Sequence, residues 1–65
     1  MNINIGDKVH YQPDYYGNKF ENGIVKEIVS ENYIRVVYNC GGDWDNYMNY
    51  TSALTYIKEL KIGWL

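Results

Sequence analysis

A second cysteine is missing from this chain of 65 residues, and so is a second histidine. Cys40 alone cannot form an intramolecular disulfide, and a lone free thiol fits a reducing compartment, which points to the cytoplasm. One Cys and one His cannot supply the roughly four ligands of a structural zinc site. No metal or other cofactor is expected. The N-terminus, MNINIGDK, has neither a basic segment nor a long apolar run, so it reads as neither a signal peptide nor a membrane anchor. A positive balance is also missing. The formal net charge is -2, so the electrostatic footprint of a general nucleic-acid binder is lacking. Gly41-Gly42 lacks the Lys and Ser/Thr that would follow in a phosphate-binding loop. Asp43-x-Asp45 starts like a calcium loop, but Met48 stands where Gly belongs and Leu54 where the closing Glu belongs. Cys40 and His10 are the only candidate nucleophile and base. Alternation puts His10 on the surface and Cys40 at an inward strand end, so no catalytic site is expected. No linker, repeat or low-complexity segment divides the chain, and residues 1–65 read as one domain.

Aromatic residues are abundant: 8 Tyr, 2 Trp and 1 Phe. A chain this short buries only about 60% of its unfolded surface, so its core is thin. Each large ring can bury ~150–250 Å² and make up part of that shortfall.

The clearest segment is Gly23 to Tyr38. Two β-branched runs flank the polar turn Ser30-Glu31-Asn32, the signature of a β-hairpin. In the second run Ile34, Val36 and Tyr38 share the inward face. In the first, Ile24 and Ile28 face one way and Val25 and Val29 the other. A bulge or strong bend would let both sides contribute to a core. Earlier, Lys8-Val9-His10-Tyr11 reads as a strand with Val9 and Tyr11 inward. Asn2 to Ile5 suits a short edge strand or a tail laid on the barrel, with Ile3 and Ile5 on one side. Gln12 to Asn22 reads as a long loop, because Pro13 cannot lie in a central strand. After Gly41-Gly42, Asp43 is a reasonable N-cap for one or two helical turns, and an ordered loop fits equally well. Thr51 to Tyr56 reads as a strand with Ala53 and Thr55 inward. Ile57 to Leu60 suits a 3₁₀ turn. Lys61 to Leu65 closes the chain with Ile62 and Trp64 on one face. The expected fold is all-β, a small five-stranded, partly open barrel with a 3₁₀ turn before the last strand.

That order resembles the SH3-like barrels, which include the KOW and Tudor domains. The matching residues are Gly6-Asp7-Lys8-Val9, Asn22-Gly23-Ile24-Val25, Tyr33-Ile34-Arg35-Val36-Val37-Tyr38 and Ile57-Lys58-Glu59-Leu60. The chain also resembles short uncharacterised proteins of bacteria and their phages. Those carry a Gly-Asp-Trp-x-x-Tyr stretch, here Gly42 to Tyr47, and end near Gly-Trp; that likeness brings no assigned activity. The Ala-Leu-Tyr-Asp-Tyr start and the third-strand Trp of peptide-binding SH3 domains are missing, which argues against proline-rich ligands. KOW domains tend to be basic, and this chain is not.

In Tudor domains the first and third inter-strand loops wall a cage for a methylated cation. The resemblance places Tyr15, Tyr16 and Phe20 in the first such loop, and Trp44 and Tyr47 in the third; Tyr50 joins them in the expected contact face. Ring faces attract cations, and Asp43 and Asp45 beside Trp44 would add to that attraction. Two readings of these rings stand side by side: a cap that completes a thin core, or a contact face. The contact reading makes the chain a non-enzymatic module that binds a protein or peptide segment, with no membrane partner. Two alternatives are a nucleic-acid-associated accessory domain, whose bases would stack on the rings, and a self-associating structural protein.

Overall fold

A computed structural model describes residues 2–65. Five antiparallel strands form one sheet: β1 (Lys8–Tyr11), β2 (Glu21–Ile28), β3 (Tyr33–Val37), β4 (Ala53–Tyr56) and β5 (Leu60–Ile62). Their order is β4-β3-β2-β1-β5, so β1 pairs with both β2 and β5. Three 3₁₀ segments connect them: η1 (Asp14–Tyr16), η2 (Trp44–Asn49) and η3 (Ile57–Glu59). The result is all-β, a small open barrel with a 3₁₀ turn before its last strand, as the sequence pattern predicts.

The β2–β3 hairpin turns at Ser30. Its hydroxyl oxygen accepts the N–H groups of Asn32 and Tyr33, a local bond that competes with strand pairing and so ends it. Within β2 the register shifts between Val25 and Glu27. Lys26 is the extra residue of this bulge. Before it Val25 pairs with Val36, and after it Ile28 pairs with Ile34. In a regular strand Val25 and Ile28, three residues apart, would face opposite sides. The expected bulge is therefore present, and it aligns both residues with the inward face of β3.

The inner core consists of Val9, Val25, Ile34, Val36 and Leu60, with Ile3, Tyr11, Tyr38 and Ile57 packed against it. The N-terminal segment is a tail rather than a strand: Ile3 packs on the core and Ile5 is exposed.

Ile24, Val37 and Cys40 are also buried, though Ile24 and its partner Val37 point away from the inner core. Ile24 and Val37 form part of a second apolar layer on the outer face, where η2 packs on β2 and Trp64 bonds to Gly23. Gly63 produces that layer. It adopts φ +89°, which L side chains rarely allow, and it diverts the chain out of β5. Ile62 pairs with Val9 and stays exposed, while Trp64 lies over Lys8 on the opposite face. The expectation that Ile62 and Trp64 share a face is thus corrected. So is the expected surface position of His10, which is only 5% exposed. Its Nδ1–H donates to the Gly63 carbonyl at 2.7 Å, and Phe20 packs edge-on to its ring. The long loop ends earlier than its turn-forming residues suggest, since Glu21 and Asn22 already pair with Tyr11 and His10. Ala53 pairs with Val36 as an inward residue would, yet it remains exposed at the sheet edge.

Candidate functional site

The eight site residues expected from sequence divide between two places. Tyr15 and Tyr16 lie in η1, directly after β1. Their rings meet edge to face with centroids 5.2 Å apart, and Tyr16 meets Tyr11 in the same way at 5.3 Å. Tyr11 in turn meets Tyr38 at 6.1 Å. Edge-to-face contact is the geometry that ring quadrupoles favour. Four tyrosines thus form one cluster where the inner face opens at the strand ends. Phe20 is not among them; it lies on the outer face beside His10.

Trp44, Tyr47 and Tyr50 lie in or beside η2, and no ring pair joins them to the tyrosine cluster. Trp44 packs on Trp64 with centroids 4.9 Å apart. The Trp64 indole N–H donates to the Gly23 carbonyl at 2.8 Å, and the Lys8 ammonium sits 4.7 Å from its ring centroid. The Tyr47 hydroxyl lies over Gly6. Asp43 occupies the N-cap position but does not bond the backbone of η2. Its carboxylate accepts instead from the Asn46 side chain and the Tyr50 hydroxyl, and this bond raises the Tyr50 pKa. Lys26, released by the bulge, donates to the Tyr50 carbonyl at 2.6 Å. Most of the third-loop group is therefore held by internal bonds that seal the outer layer. Asp45 stands exposed beside it.

The tyrosine cluster is different, because two of its members, Tyr11 and Tyr38, border a groove of about 400 Å³, while Tyr15 and Tyr16 lie just outside it. Tyr11, Tyr33, Tyr38, Glu21 and Glu59 line the groove together with all of β4. The Tyr11 hydroxyl donates to Glu59 Oε2 at 2.9 Å and lies 3.1 Å from the Tyr15 hydroxyl. The Tyr38 hydroxyl lies 2.9 Å from Thr55 Oγ1. Hydrogen bonds to Tyr15 and Glu59 hold the Tyr11 pKa above its ordinary value. Burial, and then the charge of Glu21, raise that of Tyr16. Burial pushes Tyr38 up to about 12, with the Thr55 bond opposing it and Glu21 adding to it. These hydroxyls therefore stay protonated at neutral pH, and the charge of the groove is that of its two glutamates. Among the described residues, no lysine or arginine lines it. Ring faces beside two carboxylates favour a cation.

The sequence reading missed Tyr11, Tyr38, Glu21 and Glu59 as site residues. Alternation assigned Tyr11 and Tyr38 to the core, which is correct for their inner edges. The available signal was their position: each is the last inward residue of its run, where a strand ends and a ring tip is left uncovered.

Among the described residues, no three His, Cys, Asp or Glu side chains are grouped to hold a metal ion, and no helix is long and apolar enough to cross a membrane. Comparison with protein-family models, with curated proteins and with solved structures finds no match in any of the three.

Proposed function

We propose that the chain is a non-enzymatic interaction module whose tyrosine-lined groove takes a cationic side chain of a protein or peptide segment. The observation that carries this reading is the pairing of ring faces with carboxylates. Tyr11, Tyr15, Tyr16 and Tyr38 form one ring cluster, Glu59 is bonded to it, and Tyr15 is 77% exposed. A cation over such rings gains ~0.5–2 kcal/mol depending on its desolvation. A partner has to contribute backbone or apolar contacts as well, because one such interaction is far too weak for stable binding.

The test is an amide-resonance titration with pools of lysine- and arginine-bearing peptides. Shifts at Tyr11, Tyr15, Tyr16 and Tyr38, with the Trp44 and Trp64 indoles unmoved, are the expected result. No shift with any pool overturns the reading. Retention on single-stranded DNA that falls steeply with salt would replace it with the nucleic-acid alternative.

A further inference from the structure

The groove has a second property that its rings do not explain. It touches Ala53, Leu54, Thr55 and Tyr56, four consecutive residues of β4. Successive strand residues point to opposite faces, so a cleft lying on one face would touch only alternate ones. A cleft bordered by all four runs along the free edge of the strand. Among the described residues β4 pairs with β3 alone. Half of its backbone N–H and C=O groups therefore have no sheet partner, and such an edge is a template for another strand.

The edge is short, four residues, but carries no other guard. Ala53-Leu54-Thr55-Tyr56 has no lysine, no proline and no bulge, and Leu54 is 53% exposed. The opposite edge strand, β5, carries Lys61, which repels a cationic strand. We infer that an extended, cationic peptide segment adds to the sheet along β4, with its backbone paired to that edge and its basic side chains directed at Glu21 and Glu59 in the cleft. This rests on the proposed function above and specifies the partner's conformation. Charge complementarity selects the occupant: the groove beside β4 is acidic and aromatic, and alternate residues of an extended segment reach it together.

The probe is a short, acetylated and amidated peptide of alternating arginine and valine. Its counterpart, N-methylated at every residue, keeps the charge and side chains but cannot donate to a strand. The parent peptide is expected to bind and to slow hydrogen exchange at the β4 amides that face away from β3. The methylated peptide should bind at least about tenfold more weakly, since each lost backbone bond is worth on the order of a fivefold to tenfold change in affinity. Glu21→Gln should weaken the parent severalfold, because it removes one of the two carboxylates. Equal binding of both peptides with unchanged β4 exchange overturns strand addition and leaves the tyrosine groove as the sole contact. Binding of neither overturns both. A peptide-free chain that elutes as a dimer with its β4 amides already protected assigns the edge to a second copy and overturns the inference.

Discussion

Two aromatic groups of similar size sit on opposite faces of this sheet, and they are held in opposite ways. The outer group centres on Trp44 and Trp64. Its indole N–H is bonded to a main-chain carbonyl, its two indoles pack at a tilt with centroids 4.9 Å apart, and the carboxylate of Asp43 is occupied by Tyr50. The inner group centres on Tyr11 and Tyr38. The Tyr11 and Tyr15 hydroxyls are chained to Glu59, that of Tyr38 meets Thr55, and the Tyr11 and Tyr38 rings border open space. The outer group completes a second apolar layer, whereas the inner group presents a surface. A thin core uses some of its surplus rings as structure and leaves others as contact area.

Gly23 joins the two groups, so its substitution should have the largest effect. A Cβ there would lie 2.5 Å from Val36 Cγ1, 2.8 Å from the Val37 carbonyl oxygen and 2.9 Å from the Tyr38 ring, while the Gly23 carbonyl holds Trp64. Overpacking costs ~1–3 kcal/mol and occasionally more. With a backbone oxygen among the clashing atoms, Gly23→Ala should lie at the upper end, about 3 kcal/mol, read by circular dichroism in urea.

Trp64→Ala separates the two faces. It should cost about 2 kcal/mol, less than a fully buried ring, and should leave peptide binding at the inner groove intact in the fraction that remains folded. A loss of binding at unchanged stability would reverse the roles assigned here.

Tyr38 adds a pH dependence. Its folded pKa of about 12 lies above the ordinary value of 10, so the folded state retains a proton that the unfolded chain releases. The associated stability is complete below about pH 10 and is lost as pH rises toward about 12. Its size is on the order of 1 kcal/mol, since solvent reaches part of the ring and screens the effect. Tyr38→Phe should flatten this alkaline decline in urea midpoints.

Tyr15→Ala should change stability least, by under about 0.5 kcal/mol, because the side chain is mostly in water. It should nevertheless weaken binding of a cationic peptide by about threefold to thirtyfold, the range of one cation–ring contact.

The parts of the fold legible in sequence were those written at a period of two. Val9 and Tyr11, then Ile34, Val36 and Tyr38, announce their shared face by alternation, and all five pack at the inner core. The bulge was legible as a conflict, because both alternation sets of β2 were apolar. The outer layer was not legible. Val37 and His10 alternate as surface residues, and what buries them arrives from the far end of the chain. His10 bonds to Gly63, 53 positions away. At the site, closeness in sequence misled. Tyr15 and Tyr16 were identifiable as loop rings, but their partners are strand-end residues already accounted for as core. Asp43 looked available because the bond that occupies it, from Tyr50, depends on the fold of η2.

Lys26 has a consequence for how this chain tolerates change. As the extra residue of the bulge, it stands outside the ladder: Val25, Glu27 and Ile28 face Val36, Arg35 and Ile34 as if it were absent. Replacing Lys26 costs its bond to the Tyr50 carbonyl and little else in the strand. Deleting it would leave those three pairs in step, with Glu27 still outward beside Arg35 and Ile28 still beside Ile34. What would go is the local bend and the tether from β2 to the end of η2. The strand can spare this letter altogether; the loop above it cannot.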